Sequence, residues 1–189
     1  MSHFRLSLPA RSLQDSEGQA RTVLEDSQAS MGMIPNMYAN MAHSPGLLST
    51  YADGYQRFRE SSGFTPTEQE VVLLTISRYN GCTYCMAAHS MIADNMSGVP
   101  AAELQALRDG SPLADDRLRA LNEFTWHLLD SQGHAEKEAV ERFLAAGYSE
   151  RQVLEIVLAM AVKLLSNYSN HLFATPVDDA FAGYAWSAD

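Results

Sequence analysis

One start signal and one stop signal constrain this chain more than any other feature. Thr65-Pro66-Thr67-Glu68 offers a threonine N-cap, a proline at the first helical position and a glutamate placed to close a capping box. Apolar residues follow at Val71, Val72, Leu74 and Ile76, and Asn80-Gly81 is a natural helix stop. A new helix is expected from near Cys82 to about Asn95. No run in the chain shows sustained two-residue alternation rich in β-branched residues, and no hairpin signal appears. The expected fold class is therefore all-α.

Further helices are expected over about Asp15–Ala29, Gly46–Ser61, Pro100–Arg108, Ala114–Ser131, Glu136–Ala145 and Glu150–Phe173. Between the first two, Gly32, Pro35, Pro45 and Gly46 read as punctuation, and the tail after Pro176 reads as irregular or weakly helical. No low-complexity linker divides the 189 residues, so one domain over 1–189 is expected. A hydrophobic content of 46% supports a core without staples. The formal charge of −10 disfavours nucleic acid and anionic membrane as partners. The longest apolar stretch, Val153 to Leu165, is short and is interrupted by Glu155 and Lys163, so no membrane span is expected. With no secretion signal visible, a cytoplasmic location is expected.

The sequence carries an internal echo. EVVLLTISRYNGCTYC starts at Glu70 and EIVLAMAVKLLSNYSN starts at Glu155. Glu70 precedes Cys82/Cys85 by the spacing at which Glu155 precedes Asn167/Asn170. Each stretch follows a capping signal, the second being Ser149-x-x-Gln152. Two readings compete: a duplicated helical hairpin, with a thiol-bearing core at about 47–93 and a related repeat at about 148–174, or two amphipathic helices alike by chance.

Cys82 and Cys85 are the only cysteines. In a reducing compartment a lone pair at this spacing points to redox or metal chemistry rather than a structural disulfide. On a helix, Cys82, Cys85 and His89 share one stripe. If the helix starts at Gly81 or Cys82, the free amides and dipole of its first turn lie beside the thiols and favour the thiolate. His89 can exchange a proton with the sulfur or with a leaving oxygen, and a close pair lets one thiol resolve what the other forms. Glu70 reaches this stripe only if its helix folds back. A carboxylate on a half-buried face needs a partner, and a histidine beside a thiol supplies one. The competing reading is a solvated first-turn residue favoured by the helix dipole. Cys82, Cys85 and His89 could also be three zinc ligands, with His171, His127, His134, His43 or His3 as an isolated fourth; no metal is expected, because no second ligand pair exists.

Glu70 followed by Cys82-Thr83-Tyr84-Cys85 and His89 resembles the E-x11-C-x-x-C-x-x-x-H signature of AhpD-like alkylhydroperoxidases in the carboxymuconolactone decarboxylase superfamily. Similarity to the peroxidase-related branch extends from MAHSPGLL to NHLFATPVD. The resemblance implies an AhpD-like helical fold and a homo-oligomer, a trimer or hexamer. It implies a thiol-dependent peroxidase in which Cys85 attacks the hydroperoxide, Cys82 resolves it, and His89 with Glu70 forms a proton relay. It implies no bound cofactor and an external dithiol reductant, lipoyl-bearing in AhpD itself. AhpD has a histidine between the cysteines, where this chain has Tyr84, a possible accessory group that can still donate a hydrogen bond. Two other readings remain open: a decarboxylase- or isomerase-type enzyme using His89 and Glu70 as acid and base, and a redox-sensing oligomer without turnover.

Other conspicuous residues have plainer readings. Met31, Met33, Met37 and Met41 suit core or interface filling. Trp126 and His127 suit local packing and hydrogen bonding. Asn167, Asn170 and His171 suit buried polar contacts that lock helix packing, or a second approach to the thiols. Asp115-Asp116 and Asp178-Asp179 read as caps and solvated surface.

Overall fold

Alternating start and stop signals divide the chain into helices, and a computed structural model describes residues 4–187 of it. The order is α1 (Gly18–Met31), α2 (Asn36–Met41), α3 (Pro45–Ser61), α4 (Pro66–Tyr79), α5 (Thr83–Asn95), α6 (Ala101–Asp109), α7 (Asp116–Asp130), α8 (Lys137–Ala145) and α9 (Glu150–Phe173). A short 3₁₀ turn, Asp179–Tyr184, closes the fold. No strand occurs among the described residues.

The capping signals act as the sequence implies. Thr65 and Ser149 each close a full capping box, with Glu68 and Gln152 respectively. Asp115 accepts the amide of Leu118 at the start of α7. Gly32 and Gly110 end α1 and α6 in the left-handed conformation.

Two hydrophobic clusters hold the helices. The larger gathers Phe58 and Phe64, the inner face of α4, Leu121, Phe124, Phe143, Ile156 and Ala159. The smaller gathers Leu24, Met37, Met41, Leu48, Tyr51, Val162 and Phe181, and includes both cysteines. α9 contributes to both and packs against α2, α3, α4 and α5.

Three expectations need correction. The segment read as punctuation between the first two long helices contains α2. Its first free amide, that of Asn36, is accepted by Asp178 from the far end of the chain at 3.1 Å, so the cap is tertiary and has no local signature. Asp178 is accordingly buried, not solvated. The second stretch forms one continuous helix, α9 (Glu150–Phe173), rather than a hairpin. Ser166 stands where the echo would need a counterpart of Gly81, and no left-handed residue interrupts the helix.

Candidate active site

Gly81 turns the chain between α4 and α5 at φ +65°, a conformation that costs a residue with a Cβ. The Cys82 amide donates to the Ser77 carbonyl at 2.9 Å across this turn. Cys82 thereby becomes the N-cap of α5, and Cys85 lies in its first turn. Both cysteines are free thiols and both are buried. Helix amides and the positive end of the dipole thus sit beside a pair of sulfurs withdrawn from water.

One turn further along α5, His89 Nδ1 lies 2.9 Å from Glu70 Oε2. α4 has folded back against α5, and Glu70 is fully buried rather than solvated in its first turn. Its other oxygen accepts a hydrogen bond from Arg59 of α3. Arg59 in turn donates to the Tyr55 hydroxyl at 2.6 Å, and its guanidinium lies over that ring. Gln69 fixes Arg59 from both ends, accepting from Nη1 at 3.1 Å and donating to the carbonyl at 2.9 Å.

α9 closes the site from the opposite side. Asn170 Nδ2 donates towards Cys85 Sγ at 3.4 Å and Cys82 Sγ at 3.8 Å. Asn167 Oδ1 accepts from Asn80 Nδ2 at 2.8 Å, pinning the α4–α5 turn to α9. Two turns before Asn170, Lys163 is completely buried. Its Nζ has no hydrogen-bond acceptor, and Asn167 Nδ2 and Asn170 Oδ1 are likewise without partners.

These contacts separate the two thiols. Hydrogen bonding to Cys85, then burial and the Cys85 charge, push the Cys82 thiol up. Burial also works against a Cys85 thiolate, but the hydrogen bond from Cys82 and the charge of Lys163 outweigh it and hold Cys85 well below the ordinary thiol range. Burial raises the Glu70 carboxyl, yet His89 and Arg59 prevail and keep it below 4.5. Burial, with the nearby Lys163 charge, pulls His89 below 6.5 despite Glu70. Glu70 is therefore an ionised acceptor, His89 Nδ1 carries the proton between them, and a neutral ring keeps Nε2 as an acceptor.

Cys85 and His89 line a small aromatic cavity with Tyr38, Tyr51, Tyr55 and Phe181. Tyr84 lines it too, but its hydroxyl donates to Asp178 at 2.5 Å and so faces an acid rather than a thiol. The wider groove between α6 and α7, bordered by Arg78, Asn122 and Trp126, holds none of these residues.

Glu70, Cys82, Cys85 and His89 are thus brought together. Lys163 and Arg59 are additional members that carry no spacing signal. Lys163 reads in the sequence only as a charge inside an apolar stretch, and that incongruity was the available hint. Among the described residues no three His, Cys, Asp or Glu side chains converge on a possible metal position. His43 is engaged by Arg11 and the Pro9 carbonyl, and His127 accepts from the Glu136 amide. His171 is exposed and stacks on Tyr168, and His3 lies outside the described residues. No helix among the described residues is long and apolar enough to cross a membrane.

The chain is thus all-helical among the described residues, with a dithiol at a helix start set over a Glu–His pair. Residues 45–126 match the carboxymuconolactone decarboxylase family. No curated protein is detectably similar in sequence. Among solved structures, a peroxidase-related protein with an AhpD core from Ralstonia eutropha JMP134 superposes with a TM-score of 0.82 at 20% identity, covering 95% of this chain and 96% of that one. A peroxidase-related protein from Silicibacter sp. TM1040 gives 0.78 at 22% identity, covering 95% and 94%. The debrominase Bmp8, as a cysteine-to-alanine variant in complex with 2,3,4-tribromopyrrole, gives 0.73 at 20% identity, covering 95% and 96%.

Proposed function

We propose that the chain is a thiol-dependent oxidoreductase that reduces hydroperoxides through the Cys82–Cys85 pair. The observation that carries this reading is the placement of the pair: two buried free thiols at the start of α5, both reached by Asn170, beside a buried His89–Glu70 couple. The Cys85 thiolate attacks the outer oxygen of the hydroperoxide, and the O–O bond breaks to give a sulfenic acid and an alkoxide. His89 Nε2 takes a proton from solvent and passes it to the alkoxide, while ionised Glu70 stabilises the transient imidazolium. The Cys82 thiol then condenses with the sulfenic acid, releasing water and leaving a disulfide. An external dithiol, lipoyl-type or similar, takes up the oxidising equivalents and restores both thiols. A reducing, cytoplasmic setting and a trimeric or hexameric assembly belong to the same proposal.

The test is a stopped reaction of fully reduced protein with a small excess of an organic hydroperoxide, read by free thiols and intact mass. Rapid loss of both thiols with loss of two hydrogens is expected, and Cys85→Ser abolishes dithiol-dependent turnover. Oxidation no faster than that of an unhindered free thiol, or full turnover in Cys85→Ser, overturns the reading.

The aromatic cavity favours a second reading, supported by the likeness to Bmp8. A dithiol and a halogenated aromatic ring are together converted to a disulfide, the dehalogenated ring, halide and a proton. Halide release in step with thiol loss, from a bromopyrrole and without peroxide, would establish it.

A further inference from the structure

The charges around Cys85 can be followed element by element. From α4 comes Glu70, an anion whose charge is met by Arg59 of α3. From α5 come the Cys82 thiol and His89, both held neutral by their surroundings, and Tyr84, whose phenol is engaged with Asp178. Asp178 is met in turn by that phenol and by the Asn36 amide. From α3 come Tyr51 and Tyr55, neutral phenols pushed up by burial. From α9 come neutral Asn170 and cationic Lys163. Every charged group in this set has a counterpart except two. One is the Lys163 ammonium, fully buried and without a hydrogen-bond acceptor; the other is the Cys85 sulfur, a free buried thiol that becomes an anion on losing its proton.

An isolated ammonium withdrawn from water is costly, and burial is tolerated when an anion answers it. Lys163 and Asn170 lie two turns apart on one face of α9, and Asn170 reaches both sulfurs. The same face therefore presents the ammonium towards the dithiol.

We propose that Lys163 is the positioning residue of the thiol site, a buried counter-cation that makes Cys85 rather than Cys82 the reactive thiolate. It touches neither substrate nor leaving group and acts through Cys85. The inference deepens the redox reading above and rests on it only for the identity of the reacting pair. A counter-cation that stabilises the reduced, thiolate form also makes the disulfide easier to reduce. The site thus favours return to the dithiol once a reductant arrives.

The test measures iodoacetamide alkylation of the reduced protein against pH, with the modified cysteine located by peptide mass, and needs no peroxide. In the wild-type chain Cys85 is alkylated first, and its rate persists below neutral pH. In Lys163→Met the profile moves towards that of an ordinary thiol, and the rate at pH 6 falls by about tenfold or more. Lys163→Arg recovers a large part of the rate, because it restores charge. Asn170→Ala, which removes a neutral donor, moves the profile less. In a glutathione redox buffer, Lys163→Met retains more disulfide than the wild type. A folded Lys163→Met with the wild-type pH profile overturns the proposal. So does a wild-type protein in which thiolate absorbance near 240 nm is absent below the ordinary thiol range, a result that requires no variant to fold. Peroxide turnover is read separately: an unaltered alkylation pattern without turnover rejects the peroxidase while leaving Lys163 in its role.

Discussion

The α4–α5 pair and α9 begin with the same device and end in different chemistry. Each starts at a closed capping box, and each carries an acid at the same spacing from a polar pair. In the first, Gly81 breaks the helix, so Cys82 and Cys85 sit at a fresh N-terminus with its amides and dipole. In the second, Ser166 lets the helix run on, and Lys163 and Asn170 project from its flank. The acids diverge as well. Glu70 is fully buried between His89 and Arg59, whereas Glu155 meets only Arg151, itself 64% exposed. Spacing therefore does not make a site. A break creates an electropositive helix end, and an unbroken partner supplies the opposing face.

Substitutions of the two acids probe that contrast most strongly. Glu70→Gln leaves Arg59 and His89 beside a neutral amide, and chemical denaturation should show a loss of about 3–5 kcal/mol. The acid limb should change with it. Glu70 is held below 4.5, so its contribution is complete above that pH and drains away as pH falls through the lower folded value. His89 is held below 6.5, so the unfolded chain takes its proton first and stability declines as pH falls below 6.5. Stability measured against pH should drop in both ranges in the wild type, and the drop below 4.5 should flatten in Glu70→Gln. Next in size is Gly81→Ala. An added Cβ meets nothing within 4 Å, so the cost is backbone strain alone, about 1–2 kcal/mol by thermal unfolding. Thr65→Ala and Ser149→Ala should each lose about 1 kcal/mol, since the two capping boxes are alike. A large inequality between them would show that one helix leans on its cap more than the other. Glu155→Gln, the counterpart of the first substitution, should cost less than about 1 kcal/mol. A loss near that of Glu70→Gln would remove the contrast altogether.

Local chemistry explains which parts were legible in the sequence. Thr65, Pro66, Glu68 and Gly81 announce their helix ends within a few residues, and so do Ser149 and Gln152. The stripe of Cys82, Cys85 and His89 follows from helical spacing alone. α2 does not, because it is short and its opening amide is satisfied by Asp178. Arg59 is one of several charged residues near the end of α3, and only tertiary folding turns it towards Glu70. Lys163 interrupts an apolar stretch, but no local rule says that the interruption points inward at a sulfur. The Asn167/Asn170 pair lies between these cases: its spacing echoes the cysteines, yet its contact with them depends on how α9 docks.

The thiol site is also arranged in time. Asn170 reaches the sulfurs across 85 and 88 residues of chain, and Lys163 stands on the same last helix. During synthesis, which proceeds from the N-terminus, α4 and α5 emerge long before α9. Until that final helix docks, Cys82 and Cys85 lack the asparagine that reaches them and the ammonium on the same helix face. On the proposed reading, reactivity is thus withheld from the nascent chain and conferred by completion of the fold, so that a truncated or half-made molecule carries the cysteines without their chemistry.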